Sequence, residues 1–164
     1  MSKTDYDIVV SGGGVAGLTA AALFGNAGFS VLCVDPAPPV TARDAEGSDL
    51  RTTAFLQPAQ ALLDRAGLWA RFAPYAAALQ IMRIVDAGGA TSAPRITKEF
   101  DAADISTGPF GWNLPNWLLR RELVAHLQEM ANVTFLPGTG FVSLFTREAE
   151  ARVELSDGAR VRCR

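Results

Sequence analysis

Three glycines at fixed spacing, Gly12, Gly14 and Gly17, follow directly on the β-branched run Ile8-Val9-Val10 and open a stretch of helical composition over residues 15–27. That order constrains the chain more than any other feature in it. A short apolar run ending in glycines reads as a buried parallel strand entering a turn. Leu18, Ala21, Ala22 and Leu23 supply one face of the helix, and Gly28 stands where a left-handed residue closes it. Residues 30–34 supply a second apolar strand. The result is a βαβ unit of about thirty residues, whose crossover helix requires its two strands to be parallel.

Each glycine has a steric reason. Gly12 permits the tight turn, Gly14 lets a pyrophosphate approach the backbone with no Cβ in the way, and Gly17 lets the helix pack close to the strand. The N–H groups of the first helical turn, Val15 and Ala16 onward, have no acceptor inside the helix and would face the phosphates with the positive end of the helix dipole behind them. Asp35 ends the second strand, 18 residues after Gly17, where an acceptor for adenosine ribose hydroxyls belongs. The bland alternative is a glycine-rich turn and a turn-forming Asp before Pro36. Strand, glycines, helix, strand and acid in one register favour a dinucleotide site over it.

Beyond this unit, residues 35–49 are proline-rich, polar and aperiodic, a long surface loop of the kind that is functional or disordered. Residues 57–72 are expected to form one helix, with Leu62, Leu63, Ala66 and Trp69 or Ala70 on its inner face. Residues 80–86 and 95–100 read as strands joined through a Gly88-Gly89 turn region. Residues 117–130 read as a helix with Leu119, Leu123, Leu127 and Met130 aligned. From residue 133 the character changes: 133–136, 141–146, 151–155 and 159–163 read as short strands of an antiparallel β-meander over about 133–164. In its last hairpin a three-residue loop, Ser156-Asp157-Gly158, pairs Leu155 with Ala159, Val153 with Val161 and Ala151 with Cys163, and puts Gly158 in a left-handed bulge position. The sequence stops inside this last strand, so a truncation ahead of a further, substrate-binding domain is expected.

Composition closes off several classes of function. Fifteen Lys and Arg against seventeen Asp and Glu leave a net charge of −2, which offers no electrostatic footprint for nucleic acid or anionic lipid. No run reaches the roughly 18 apolar residues that mark a membrane span, and no basic segment precedes the first apolar run as a secretory signal would require. Cys33 and Cys163 make neither a disulfide framework nor a metal-spaced pair, so a reducing, cytoplasmic compartment is expected. His126 is the only histidine; with no nucleophile motif in sight it reads as structural, and neither a zinc site nor a Ser-His-Asp triad can be assembled. Trp69, Trp112 and Trp117 read as packing rather than as a stacking platform.

A nicotinamide-binding domain would continue with βα units at regular intervals, whereas a long loop, a helix and an antiparallel meander suit FAD. The carboxylate of Asp35 would repel the 2′-phosphate of NADP, but it does not separate NAD from FAD. The opening Gly12-Gly13-Gly14-Val15-Ala16-Gly17-Leu18, Asp35, and the segment Asp49-Leu50-Arg51-Thr52-Thr53-Ala54-Phe55 leading to Leu62-Leu63-Asp64-Arg65-Ala66-Gly67-Leu68-Trp69 together resemble the flavoprotein aromatic hydroxylases. Asn116-Trp117-Leu118-Leu119-Arg120-Arg121-Glu122-Leu123 resembles the second helix motif of the branch that hydroxylates ubiquinone precursors. The resemblance covers nearly the whole chain.

What the resemblance implies is an α/β chain: a Rossmann-like FAD-binding domain with a parallel sheet and an antiparallel meander. It implies that Arg51 lies against the FAD and that Asn116, with Arg120 as a neighbour, touches the cofactor near its pyrophosphate or ribityl chain. A guanidinium is the preferred partner for a bidentate phosphate contact. On the residues alone, Arg51 as a solvated loop charge and Arg120 or Arg121 as solvent-facing helix positions stand beside that reading. The activity implied is hydroxylation of an aromatic ring with O₂ and a reductant such as NAD(P)H. A polyprenylated phenol is the implied substrate class, although related hydroxylases act on soluble aromatic acids. The implied location is cytoplasmic, or peripheral to the inner membrane through parts absent from these residues. Because the segments that close over the flavin and bind substrate in such enzymes are not among these residues, the chain is expected to hold FAD weakly and to be inactive alone. A non-catalytic nucleotide-binding module and an NAD-dependent dehydrogenase domain are the competing readings.

Overall fold

The computed structural model of the protein describes residues 5–89 and 93–164. It opens on the expected βαβ unit: β1 (Ile8–Ser11), α1 (Val15–Asn26) and β2 (Val31–Asp35). The two strands run parallel, in register from Ile8↔Val31 to Ser11↔Val34. Gly28, at φ +89°, closes α1. Its N–H bonds the Gly25 carbonyl at 2.9 Å while the Phe29 N–H reaches back to Phe24 at 3.1 Å, the paired bonds of a Schellman ending. An irregular stretch then leads to β3 (Thr52–Leu56), α2 (Gln57–Arg65) and α3 (Trp69–Phe72). Four strands follow, β4 (Ala77–Leu79), β5 (Ile81–Asp86), β6 (Ile96–Asp101) and β7 (Gly111–Pro115), before α4 (Asn116–Glu129). The chain ends on β8 (Val133–Pro137), β9 (Phe141–Thr146), β10 (Ala151–Leu155) and β11 (Arg160–Cys163).

Three layers stack on β2, which is buried on both faces. Val31 and Cys33 point to the helices, into a core with Leu18, Ala21 and Ala22 of α1 and Leu119, Leu123 and Leu127 of α4. Leu32 and Val34 point the other way, onto Val153, Leu155 and Cys163. The alternation follows the two-residue period of a strand, and covering both faces is why the segment reads as an unbroken apolar run. The regular leucines of α4 put its inner stripe on α1, so the two helices form one layer.

Residues 57–72 are not one helix. Gly67 sits at φ +71°, and the Ala66, Gly67 and Leu68 N–H groups close α2 on the carbonyls of Leu62, Asp64 and Leu63. Leu63, Ala66, Leu68 and Phe72 are nevertheless all buried. Apolar spacing reports burial and runs on across a break that only the glycine marks.

Residues 133–137 are likewise not the first strand of the meander. β8 lies parallel beside β2, from Val31↔Val133 to Asp35↔Pro137, in a sheet of order β1-β2-β8. The meander proper is β9, β10 and β11, with the expected register Ala151↔Cys163 and Val153↔Val161. Leu155 N–H bonds Ala159 at 2.9 Å, and Gly158 sits at φ +85°. A small antiparallel sheet, β3-β7-β4, was not anticipated, since Thr52-Thr53 and Trp112-Asn113 mix polar and apolar positions without clean alternation. The β5–β6 hairpin matches expectation; its connection includes residues 90–92, which lie outside the described residues.

The tryptophans pack: Trp69 and Trp112 meet edge to face at 5.1 Å between centroids, and Trp69 and Trp117 lie against the main core. His126 sits beside Gly67, and its Nε2 is buried with no hydrogen-bond partner among the described residues. Burial first, and the charge of Arg71 second, push its pKa below the usual histidine value. Among the described residues no helix is long and apolar enough to cross a membrane, and no group of three or more potential metal ligands occurs.

Two measurements check this packing. Leu32→Ala, at the meeting of sheet and meander, is expected to cost roughly 2–5 kcal/mol in urea unfolding, whereas exposed Phe145→Ser changes stability by less than about 0.5 kcal/mol. For His126 the folded pKa lies below the unfolded one, so its contribution is whole above the unfolded value of about 6.5 and is lost as pH falls toward the folded value. Thermal unfolding between pH 8 and pH 5 should show that slope, and His126→Gln should flatten it.

Candidate functional site

The turn between β1 and α1 is built from close approaches that only glycine allows. Gly12 takes φ +124°, and its N–H bonds Val34 at 2.8 Å. A Cβ on Gly17 would fall far inside contact distance of the Gly12 carbonyl oxygen, and one on Gly13 would lie 2.8 Å from Cβ of Asp35. Gly14 is different: a Cβ there would meet nothing within 4 Å. Gly14 is the N-cap of α1 in extended backbone, with no side chain capping the helix and no acidic residue in its first turn. Gly14 and Ala16 are exposed. The orphan amides of Val15, Ala16 and Gly17 are therefore open to a ligand, with the positive end of the helix dipole behind them.

Asp35 stands at this turn but has work of its own. Its Oδ2 accepts the Gly13 N–H at 2.5 Å and its Oδ1 accepts the Ala37 N–H at 2.8 Å. The carboxylate thus ties the glycine turn to the end of β2, a bond that the sequence reading did not foresee. Each oxygen keeps a further lone pair. Beneath the turn, Cys33 lies with Sγ 3.7 Å from the Gly12 carbonyl. Burial, then the charge of Asp35, push its thiol up to about 11, so it is a packing group and not a nucleophile at neutral pH.

A second cluster brings Arg51, far away in sequence, to Asn116 and Arg120, one turn apart on α4. Asn116 begins α4, and its backbone N–H bonds the Arg51 carbonyl at 2.9 Å. Asp49 lies among them: its carboxylate accepts Nε and Nη2 of Arg51, both at 2.8 Å, and Nδ2 of Asn116 at 3.0 Å. Nη2 of Arg120 is 3.9 Å from the same carboxylate. Thr53 donates its hydroxyl to Oδ1 of Asn116 at 2.6 Å. The Arg51 fork, and then the Asn116 amide, hold the Asp49 carboxyl well below the usual carboxylate range; the same pairing raises Arg51. Neighbouring Arg121 is a packing residue, over the rings of Tyr75 and Trp117 and bonded to Glu122.

Sequence reasoning missed Gly13, Asp49 and Thr53. Asp49 stands two residues before Arg51, a spacing that could have flagged it. The two clusters share one side of the molecule by topology. α1 leaves the carboxyl end of β1, and α4 packs beside it and feeds the amino end of β8. Both helices therefore begin at the carboxyl edge of the parallel sheet, where open α/β sheets bind ligands.

Comparison with known proteins agrees with this architecture. The chain belongs to the FAD binding domain family, which it matches over residues 5–164, and FAD is accordingly its cofactor. A ubiquinone hydroxylase, UbiL of Rhodospirillum rubrum, is 30% identical over 158 residues, covering 96% of this chain and 35% of that protein. Among solved structures, p-nitrophenol 4-monooxygenase PnpA from Pseudomonas putida DLL-E4 superposes with a TM-score of 0.77 at 23% identity, over 99% of this chain and 40% of that one. The flavin-dependent monooxygenase PieE, in complex with FAD and substrate, gives 0.73 at 23% identity, over 99% of this chain and 29% of that one. These structures share the fold, and the chain spans about a third of the length of its curated relative.

The residues present suit a dinucleotide: an open first turn, a glycine whose missing Cβ leaves room, and a carboxylate beside it. The two kinds of glycine should separate in thermal unfolding. Gly17→Ala is expected to lose roughly 1–3 kcal/mol through overpacking, and Gly14→Ala to leave the midpoint unchanged.

Proposed function

We propose that this chain supplies the ADP-binding part of the FAD site in a flavin-dependent monooxygenase that hydroxylates an aromatic ring. The observation that carries the reading is the uncapped first turn of α1, opened by Gly14 and set beside Asp35. In this reading the amides of Val15, Ala16 and Gly17 take the pyrophosphate, and Gly12 and Gly14 give it room. Asp35 accepts from the ribose. Arg51, Asn116 and Arg120 meet the cofactor farther along, near its pyrophosphate or ribityl chain. Arg51 still has the donors for this, because the Asp49 fork uses Nε and one Nη2 hydrogen and leaves three N–H groups.

Bound FAD would supply the electron transfer that activates O₂, with NAD(P)H or another reductant as donor. The chain's own residues hold and orient. A polyprenylated phenol is the proposed substrate, supported by the 30% identity to a ubiquinone hydroxylase. A cytoplasmic protein, peripheral to the inner membrane where it meets such a substrate, fits that chemistry. Substrate binding and hydroxylation belong in this proposal to the longer protein.

Titrating the purified chain with FAD, NAD and ADP tests the reading. FAD is expected to bind more tightly than ADP, and Gly14→Ala to weaken both by about tenfold, or about 1.4 kcal/mol. Equal affinity for FAD and ADP would favour a plain nucleotide module, and binding of NAD alone a dehydrogenase domain. Given NAD(P)H, O₂ and a polyprenylated phenol, the chain by itself should form no hydroxylated product. Normal turnover would contradict the proposed division of labour.

A further inference from the structure

We propose that Asp49 is a positioning residue of the FAD site, clamping Arg51 and Asn116 in the orientation in which they meet the cofactor. This rests on the reading of Arg51 and Asn116 given above. The contrast in exposure is the first support: the Arg51 side chain is 83% exposed and that of Asp49 only 12%. A long cation so exposed samples many rotamers unless something holds it, and ordering it at the moment of binding would weaken binding. The bidentate fork from Nε and Nη2 to the two Asp49 oxygens does hold it, in a planar geometry that a single bond would not impose. The Nη1 edge is left facing away from Asp49, with donors in place for a second, phosphate-type acceptor.

The second support is that the clamp spans three separate segments. Asp49 also accepts from the side chain of Asn116 at the start of α4 and from the Arg51 backbone N–H at 3.2 Å. Thr53 on β3 fixes the other end of the Asn116 amide through Oδ1. With Nδ2 directed at Asp49 and Oδ1 engaged by Thr53, the amide has one N–H left, pointing in a fixed direction. Loop and helix start are thus locked to one carboxylate, and the strand is tied to them through the Asn116 amide. The same bonds from Arg51 and Asn116 favour the ionised form of that carboxylate.

Electrostatics and positioning predict opposite signs, which makes the idea testable. Asp49→Asn removes a negative charge beside two arginines, so Coulomb attraction alone would tighten binding of an anionic cofactor. Loss of the clamp weakens it. The experiment measures FAD affinity by quenching of flavin fluorescence for the wild-type chain, Asp49→Asn, Arg51→Gln and the double variant, with the thermal midpoint recorded for each. Expected are about tenfold weaker binding for Asp49→Asn and less than about threefold further loss when the same change is made in the Arg51→Gln background. Tighter or unchanged binding in Asp49→Asn overturns the clamp while leaving the FAD reading intact, provided that Arg51→Gln weakens binding. An equal loss in both backgrounds also overturns it, because a merely structural role does not depend on Arg51. If Arg51→Gln leaves FAD affinity unchanged, the cofactor role of Arg51 fails and the clamp fails with it.

Discussion

The bond from the Gly13 N–H to the Asp35 carboxylate holds the end of β2 against the turn that starts α1. Everything proposed for the site depends on that closeness. It is possible because Gly13 has no Cβ to strike Asp35 and Gly17 none to strike Gly12. Held this way, the turn presents the first amides of α1 uncapped at the carboxyl edge of the sheet. A helix that capped itself with Ser or Asp would be more stable and would offer the phosphates less.

Around this turn the fold is arranged to keep β2 rigid. Helices cover one face of the strand and the meander covers the other, with β1 and β8 paired on its two sides. A one-residue slip of β2 would exchange the side chains that fit the helices for those that fit the meander. The position of Asp35 at its end is correspondingly fixed. Arg51 is placed by another route, through a surface loop tied down by Asp49 to the start of α4. One half of the proposed site is thus built on packed backbone, and the other on a hydrogen-bonded relay of side chains.

The parts legible in the sequence were those that rest on local sterics. The glycine turn, the strand before it, the Gly28 ending of α1 and the three-residue loop at Gly158 all express φ restrictions that single residues impose. The partnership of β8 was not legible, because Val133 to Pro137 looks the same whether its partner is β2 or β9. Period and propensity identify a strand and do not name its neighbour. The break at Gly67 was hidden by apolar residues buried on either side of it. Asp49 was overlooked for a related reason: its fork with Arg51 is local, but the bond that ties both to the start of α4 comes from Asn116, 67 positions away, and a contact at that separation leaves no local pattern.

In the proposed site the main-chain amides of the first turn of α1 grip the cofactor's phosphates. The most direct measurement is a ¹H–¹⁵N correlation spectrum of the labelled chain during titration with FAD. The amides of Val15, Ala16 and Gly17 are expected to move first and farthest, in the downfield direction of a new hydrogen bond to an anion. Saturation of FAD binding with those three resonances unmoved, and shifts confined to other segments, would contradict it.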